Sequence, residues 1–142
     1  MDTHLTTKLK INKPASDIFE AIVCPEKIGN YWFSSSSERW EEGKTITLRY
    51  DEYDAQGDIK ILEIEENKKI LFSWGETVVT ITLKEIDHTT TIIEINEAGF
   101  NEDDPEIRNK LIGQKEGWVY MLTCLKGYLE NGSTRLRASL IH

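Results

Sequence analysis

The stretch Asp103–Gly132, DDPEIRNKLIGQKEGWVYMLTCLKGYLENG, decides how the rest of the chain is read. At about 100° per residue, Ile107, Leu111, Gln114, Trp118, Met121, Leu122, Leu125 and Leu129 fall on one stripe, the pattern of a long amphipathic helix. Asp103 with Glu106 three residues on, and Pro105 between them, has the form of a capping box at its start. Asn131-Gly132 supplies a stop near Glu130. The stripe has to be buried against something, and Gln114 interrupts it. A buried amide needs hydrogen-bond partners, which leaves two readings: a contact to a bound molecule, or an amide satisfied by the backbone, a neighbouring side chain or water. Gly113 and Gly117 each weaken a helix by ~1 kcal/mol relative to alanine, so they are expected to admit close approach of a neighbouring element or a ligand. Tyr120 falls off the stripe and is expected at the surface or against a partner.

Upstream, the chain supplies a sheet for this helix. Leu5, Leu9 and Ile11 alternate with His4, Lys8 and Lys10, the period of two of a strand with one buried face. Pro14 offers a preset helical φ, Asp17 puts negative charge in the first turn, and Ile18, Phe19, Ile22 and Val23 form an apolar stripe. Pro25 ends that helix and opens another through Ile28, Tyr31 and Trp32. Ser34 to Ser37 read as a flexible loop in preference to a nucleophile. Trp40 is expected to begin the next strand.

From Arg39 to Glu97 the signals are those of an antiparallel meander. Ile46, Leu48 and Tyr50 share a phase, as do Ile70, Phe72 and Trp74, then Val79, Ile81 and Leu83, then Thr91, Ile93 and Ile95. Ile59 and Ile61 share one phase while Leu62 and Ile64 fall on the other, which predicts a bulge or register change there. Turns are expected at Glu42-Gly43, Asp54 to Gly57, Glu66 to Lys68, Gly75-Glu76 and Asp87-His88. The tail from Ser133 to His142 carries Arg135, Arg137, Leu136, Leu140 and Ile141 and is expected either to fray or to dock. The fold class is therefore α+β: a curved antiparallel sheet of six or seven strands around a long C-terminal helix, with two short helices after the first strand. A bent sheet cannot touch a straight helix along its whole length, so a cavity is expected between them.

Length and composition bound the function. The 142 residues fit one domain over 1–142, and 39% hydrophobic residues suffice for a packed core. A net charge of −8, without a clustered Lys/Arg footprint, argues against nucleic acid. No apolar run approaches the ~20 residues of a membrane-spanning helix and no signal-peptide core is visible, which predicts a cytoplasmic protein without membrane insertion. Cys24 and Cys124 read as reduced core thiols in preference to a disulfide. His4, His88 and His142 have no second ligand at i+3 or i+4, so no metal site is expected. No Gly-x-Ser-x-Gly, Cys/His or spaced carboxylate pair stands out, so no catalytic residue and no cofactor is assigned. Glu97 at a strand end is expected to be solvated, with a place inside the pocket as the other reading. Trp32, Phe33, Trp40 and Phe100 cluster where a cavity mouth would lie, each of them core or pocket.

The order of elements resembles the helix-grip, START-like superfamily, which includes the birch-pollen allergen type. Within it the chain is most similar to the activator of Hsp90 ATPase homologue family. The residues that carry this are Lys13-Pro14-Ala15 through Ile18-Phe19, Pro25, Tyr31-Trp32-Phe33 and Trp40 to Gly43. Further on come Ile70-Leu71-Phe72-Ser73-Trp74, Glu97-Ala98-Gly99-Phe100, Gly117-Trp118 and Leu125-Lys126-Gly127-Tyr128-Leu129. Cys24 stands before Pro25 where relatives often carry Asp or Ser, a departure that touches only helix-end stability. The resemblance implies a cavity between sheet and helix that holds apolar or amphipathic small molecules in many relatives. It does not carry the chaperone activity of the name, because the eukaryotic activators have an additional N-terminal domain not seen in this sequence.

The first expectation is thus a small-molecule binding protein, for lipids or aromatic metabolites, its site lined by Trp32, Phe33, Tyr50, Phe72, Trp74, Gln114, Trp118, Met121 and Leu122. The alternatives are a protein-interaction module acting on a chaperone, supported by the resemblance, and a cyclase- or hydrolase-type enzyme of the same superfamily. A homodimer is compatible with the fold.

Overall fold

The structure is a computed structural model that describes residues 3–141. His142, the third histidine considered as a metal ligand, lies outside the described residues.

The alternating segments become strands and the 3.6-period segments helices. In order they are β1 (His4–Ile11), α1 (Ala15–Val23), α2 (Pro25–Ile28), β2 (Ser35–Ser36), β3 (Thr45–Tyr50), β4 (Ala55–Glu65), β5 (Lys69–Trp74), β6 (Thr77–Asp87), β7 (Thr90–Ala98) and α3 (Ile107–Asn131). The strands form one seven-stranded antiparallel sheet in the order β1-β7-β6-β5-β4-β3-β2. Strand β1 crosses over to pair with β7, and the rest is a meander of hairpins.

One sheet face is apolar, as the phases predict. Ile46, Leu48, Ile59, Ile61, Ile70, Phe72, Val79, Ile81, Ile93 and Ile95 are all buried there. The bulge expected near Leu62 lies between Ile61 and Glu63. It leaves Leu62 exposed and returns Ile64 to the edge of the core.

Helix α1 packs its apolar stripe inward, and its first free N–H, on Ala15, donates to Glu85 Oε1 on β6 at 3.0 Å. Helix α3 lies along β1, where the Lys115 and Lys126 ammonium groups donate to the carbonyls of Thr6 and Lys10. Its C-terminus closes as expected: Gly132, at φ 69°, directs its N–H to the Gly127 and Tyr128 carbonyls.

Several local expectations are corrected. Helix α3 starts at Ile107, and the side chain that caps the turn before it is Asp104, whose Oδ1 accepts the Glu106 N–H at 2.8 Å, instead of Asp103. Ser34 to Ser37 do not form a loose loop, because Ser35 and Ser36 pair with Arg49 and Leu48 as an edge strand. Trp40 lies in the loop ahead of β3 and is buried. The turn after β3 is a single 3-10 turn (Asp51–Tyr53) closed by Asp54 at φ 49°, so Gly57 falls within β4. A methyl group added at Gly113 or Gly117 would meet nothing within 4 Å, whereas one added at Gly127 would lie 2.8 Å from Leu136 Cδ1. No element approaches Gly113 or Gly117, which border open hollows, and the close approach that does occur is that of the tail over Gly127.

That tail docks. The Arg137 guanidinium pairs with the Glu52 carboxylate, donates through Nε to the Trp32 carbonyl at 2.7 Å, and lies 5.3 Å from the Tyr50 ring centroid. The Tyr120 hydroxyl donates to the Leu136 carbonyl and the Tyr53 hydroxyl to the Leu140 carbonyl. Tyr120 is thus half-buried under the tail, contrary to its expected surface position.

Candidate functional site

The two halves of α3 meet the sheet differently. Trp118, Met121, Leu122, Cys124 and Leu125 are buried, while Ile107, Leu111 and Gln114 are only half-covered. Where the helix lifts away, aromatic side chains fill most of the gap. Trp32 is their hub, with ring centroids 4.7 Å from Phe33, 5.8 Å from Trp118 and 6.2 Å from Trp74 and Trp40. Trp74 and Trp118 lie 5.3 Å apart. These distances fall in the range of favourable offset and edge-on ring pairs. The interior is consequently less empty than expected.

What remains open is a hollow of about 130 Å³ under the helix. Of the residues the sequence proposed, Trp32, Tyr50, Trp74, Gln114, Trp118 and Met121 line it. Phe33 lines a neighbouring hollow of about 360 Å³ beside Tyr50, Tyr53 and Trp74. Phe72 and Leu122, both 0% exposed, lie in the core beneath and line neither. A third hollow, about 280 Å³, opens on the far side of Gln114 between Glu97, Phe100, Ile107 and Lys110. Trp74 borders all three, and Gln114 separates the first from the third.

Tyr31, Tyr53, Tyr120 and Leu140 also line the first hollow and were not expected to, and Gly117, expected to admit a neighbouring element or a ligand, lines it as well. Tyr53 belongs to the 3-10 turn, and Tyr120 and Leu140 face the site only because the tail folds back. Burial pushes the Tyr31 phenol well up and raises that of Tyr50, although Arg137 pulls the latter partly back.

Glu97 corrects the expectation of a solvated strand end: it is 1% exposed. Oε1 accepts from Trp118 Nε1 at 2.8 Å, Oε2 lies 2.7 Å from Thr77 Oγ1, and Gln114 Nε2 reaches both oxygens at 3.0 and 3.1 Å. Thr77 Oγ1 also lies 2.8 Å from the Trp74 carbonyl, so one hydroxyl proton is shared between two acceptors. The sequence carried a signal for this burial. Glu97 continues the inward phase of Thr91, Ile93 and Ile95, and Thr77 that of Val79, Ile81 and Leu83.

The groups best able to attack a bound molecule are engaged elsewhere. Ser34 Oγ donates to Glu52 Oε1 at 2.9 Å, and burial raises the thiol of Cys124. Cys24 Sγ donates to Glu26 Oε2, which raises its thiol too. The site offers a slot between rings with one fixed polar partition.

An open antiparallel sheet gripping a long C-terminal helix, with an aromatic hollow between them, defines a helix-grip protein of the START-like class. Residues 12–130 match the family described as Activator of Hsp90 ATPase homolog 1-like protein. The chain belongs to that family. Among solved structures it is similar to protein SSP2350 from Staphylococcus saprophyticus, with 52% identity, 93% of this chain and 95% of that one covered, and a TM-score of 0.84. The fold is shared with the Aha1 dimer from Colwellia psychrerythraea, at 18% identity, 92% and 98% coverage and a TM-score of 0.79. It is shared as well with MLL2253 from Mesorhizobium loti, at 20% identity, 90% and 97% coverage and a TM-score of 0.77. No curated protein matches the chain. Among the described residues no helix is long and apolar enough to cross a membrane.

Proposed function

We propose that the protein binds a small apolar or amphipathic molecule in the hollow beneath α3. The observation that carries this reading is the ring-lined space of about 130 Å³ bounded by Trp32, Trp74 and Trp118 and ended by the Gln114 amide. An apolar cavity of ~150 Å³ admits a benzene ring, whereas drug-sized ligands occupy ~300 Å³ or more. The hollow as it stands is thus on the scale of a single ring and a little tighter than that cavity. A larger ligand requires Trp74 or Gln114 to swing aside and join the adjoining hollows. Unpaired Cys24 and Cys124 suit a reducing compartment, and we assign the protein to the cytoplasm.

Titration of single-ring aromatics and medium-chain fatty acids against the intrinsic tryptophan fluorescence tests the reading, since three of the four tryptophans line the hollow. A saturable change is expected for at least one probe. A flat response across the panel, together with native mass spectrometry of freshly purified protein that finds no retained molecule, overturns it. The same spectra report the subunit count and so test association into a dimer.

A further inference from the structure

The orientation of Gln114 has a chemical consequence for the ligand. A carboxylate oxygen accepts hydrogen bonds, so the amide facing Glu97 has to present its NH2, and the contacts of Gln114 Nε2 with both Glu97 oxygens fit that. The amide oxygen then points the other way. Among the described residues none donates to Gln114 Oε1, and the only sealed-off side-chain polar atom without a partner in them is Thr7 Oγ1. Gln114 Oε1 is therefore not sealed off, and the hollows that its residue lines are the first and the third.

Most other polar groups of the first hollow are committed. The Tyr31 hydroxyl donates to the Ala21 carbonyl, Tyr53 and Tyr120 donate to the tail, and Trp118 Nε1 donates to Glu97. The indoles of Trp32 and Trp74 are donors only. Tyr50 supplies the one other hydroxyl, on the side where Arg137 covers its ring.

We propose that Gln114 Oε1 is the acceptor that selects the ligand, an aromatic ring bearing a hydrogen-bond donor such as a phenol, an aniline or an azole N–H. Glu97 is the positioning residue that holds the amide oxygen toward the ligand. The proposal rests on the binding function proposed above and adds the chemical class of what is bound. It gives the buried Glu97 a role without placing it against the ligand.

The test compares three probes of similar shape, 4-methylphenol, 4-methylanisole and p-xylene, by titration calorimetry on the full chain. The first donates, the second only accepts and the third does neither. Wild type is expected to bind 4-methylphenol about tenfold more tightly than either of the others, since a site built for a donor is left with an unmet acceptor by an analogue that lacks it. Gln114→Met keeps the volume, removes the acceptor and also takes one donor from Glu97, and should bring the three within about threefold of one another. Glu97→Gln lets the facing amide present either end, so the preference should shrink, and Tyr50→Phe should preserve it.

Equal binding of 4-methylphenol and 4-methylanisole to wild type overturns the inference while leaving the binding function intact. A preference that survives Gln114→Met, or vanishes in Tyr50→Phe, overturns it as well. If none of the three probes binds, the inference falls. Silence across the wider fluorescence panel would be needed to remove the binding function too.

Discussion

The two halves of α3 share one hydrophobic pattern and have different surroundings. From Trp118 to Leu125 the stripe is buried in the core, and from Ile107 to Gln114 the same stripe borders open space. Local sequence specifies that a face is apolar, and the path of the sheet decides whether that face is filled by the chain or left for something else. The helix is thus an anchor at one end and a roof at the other.

Truncation should separate these roles most sharply. Leu122→Ala is expected to lose ~2–5 kcal/mol of stability and Leu111→Ala about 1 kcal/mol or less, measured by urea unfolding. Comparable losses at the two positions would mean that the N-terminal half is as tightly packed as the other.

At the junction of the halves, Trp118→Phe keeps most of the ring but removes one donor from the buried Glu97. The expected cost is ~1–3 kcal/mol, that of leaving a buried acceptor short of a partner. Thermal unfolding measures it, and a neutral result would show that water or Thr77 takes over.

The wall of the first hollow also includes the tail. Arg137 holds the Glu52 carboxyl down at about 2, from an ordinary 4.5. A depressed carboxyl contributes stability above its ordinary value and loses it as the pH falls toward the depressed one. Glu52 is 42% exposed, so screening reduces the contribution to about 1 kcal/mol. The advantage of wild type over Arg137→Gln at pH 7 should shrink by about that amount as the pH falls from 4.5 to 2, leaving the share from the Trp32 and Tyr50 contacts.

The smallest effects sharpen the contrast. Gly113→Ala and Gly117→Ala each meet open space and should stabilise the helix by ~0.5–1 kcal/mol. Only Gly117 borders the first hollow, so Gly117→Ala alone should also weaken binding of the ring probes.

Much of this was legible before the structure. Strand phases, the Ile61–Glu63 bulge, the starts of both short helices and the Gly132 stop all follow from local chemistry: period, proline position and left-handed φ; the second helix ends at Ile28, short of the expected Tyr31 and Trp32. The aromatic lining was legible as a group, but Phe72 and Leu122 were not separable from it, because depth below a wall is a tertiary property. The docked tail was out of reach, since its ion pair joins residues 85 apart in sequence. Ser35 and Ser36 became a strand only because β3 offered its edge. Glu97 was readable: its phase placed it inward, and the general preference of carboxylates for water outweighed that phase.

The lysines that reach from α3 to β1 bear on whether the sheet can be extended by another strand. An unpaired sheet margin is a template for a foreign strand, and here the margin at β1 already has two of its carbonyls, on Thr6 and Lys10, engaged by ammonium groups. The opposite margin, β2, is two residues long. Extension of the sheet by a further strand is blunted on both sides.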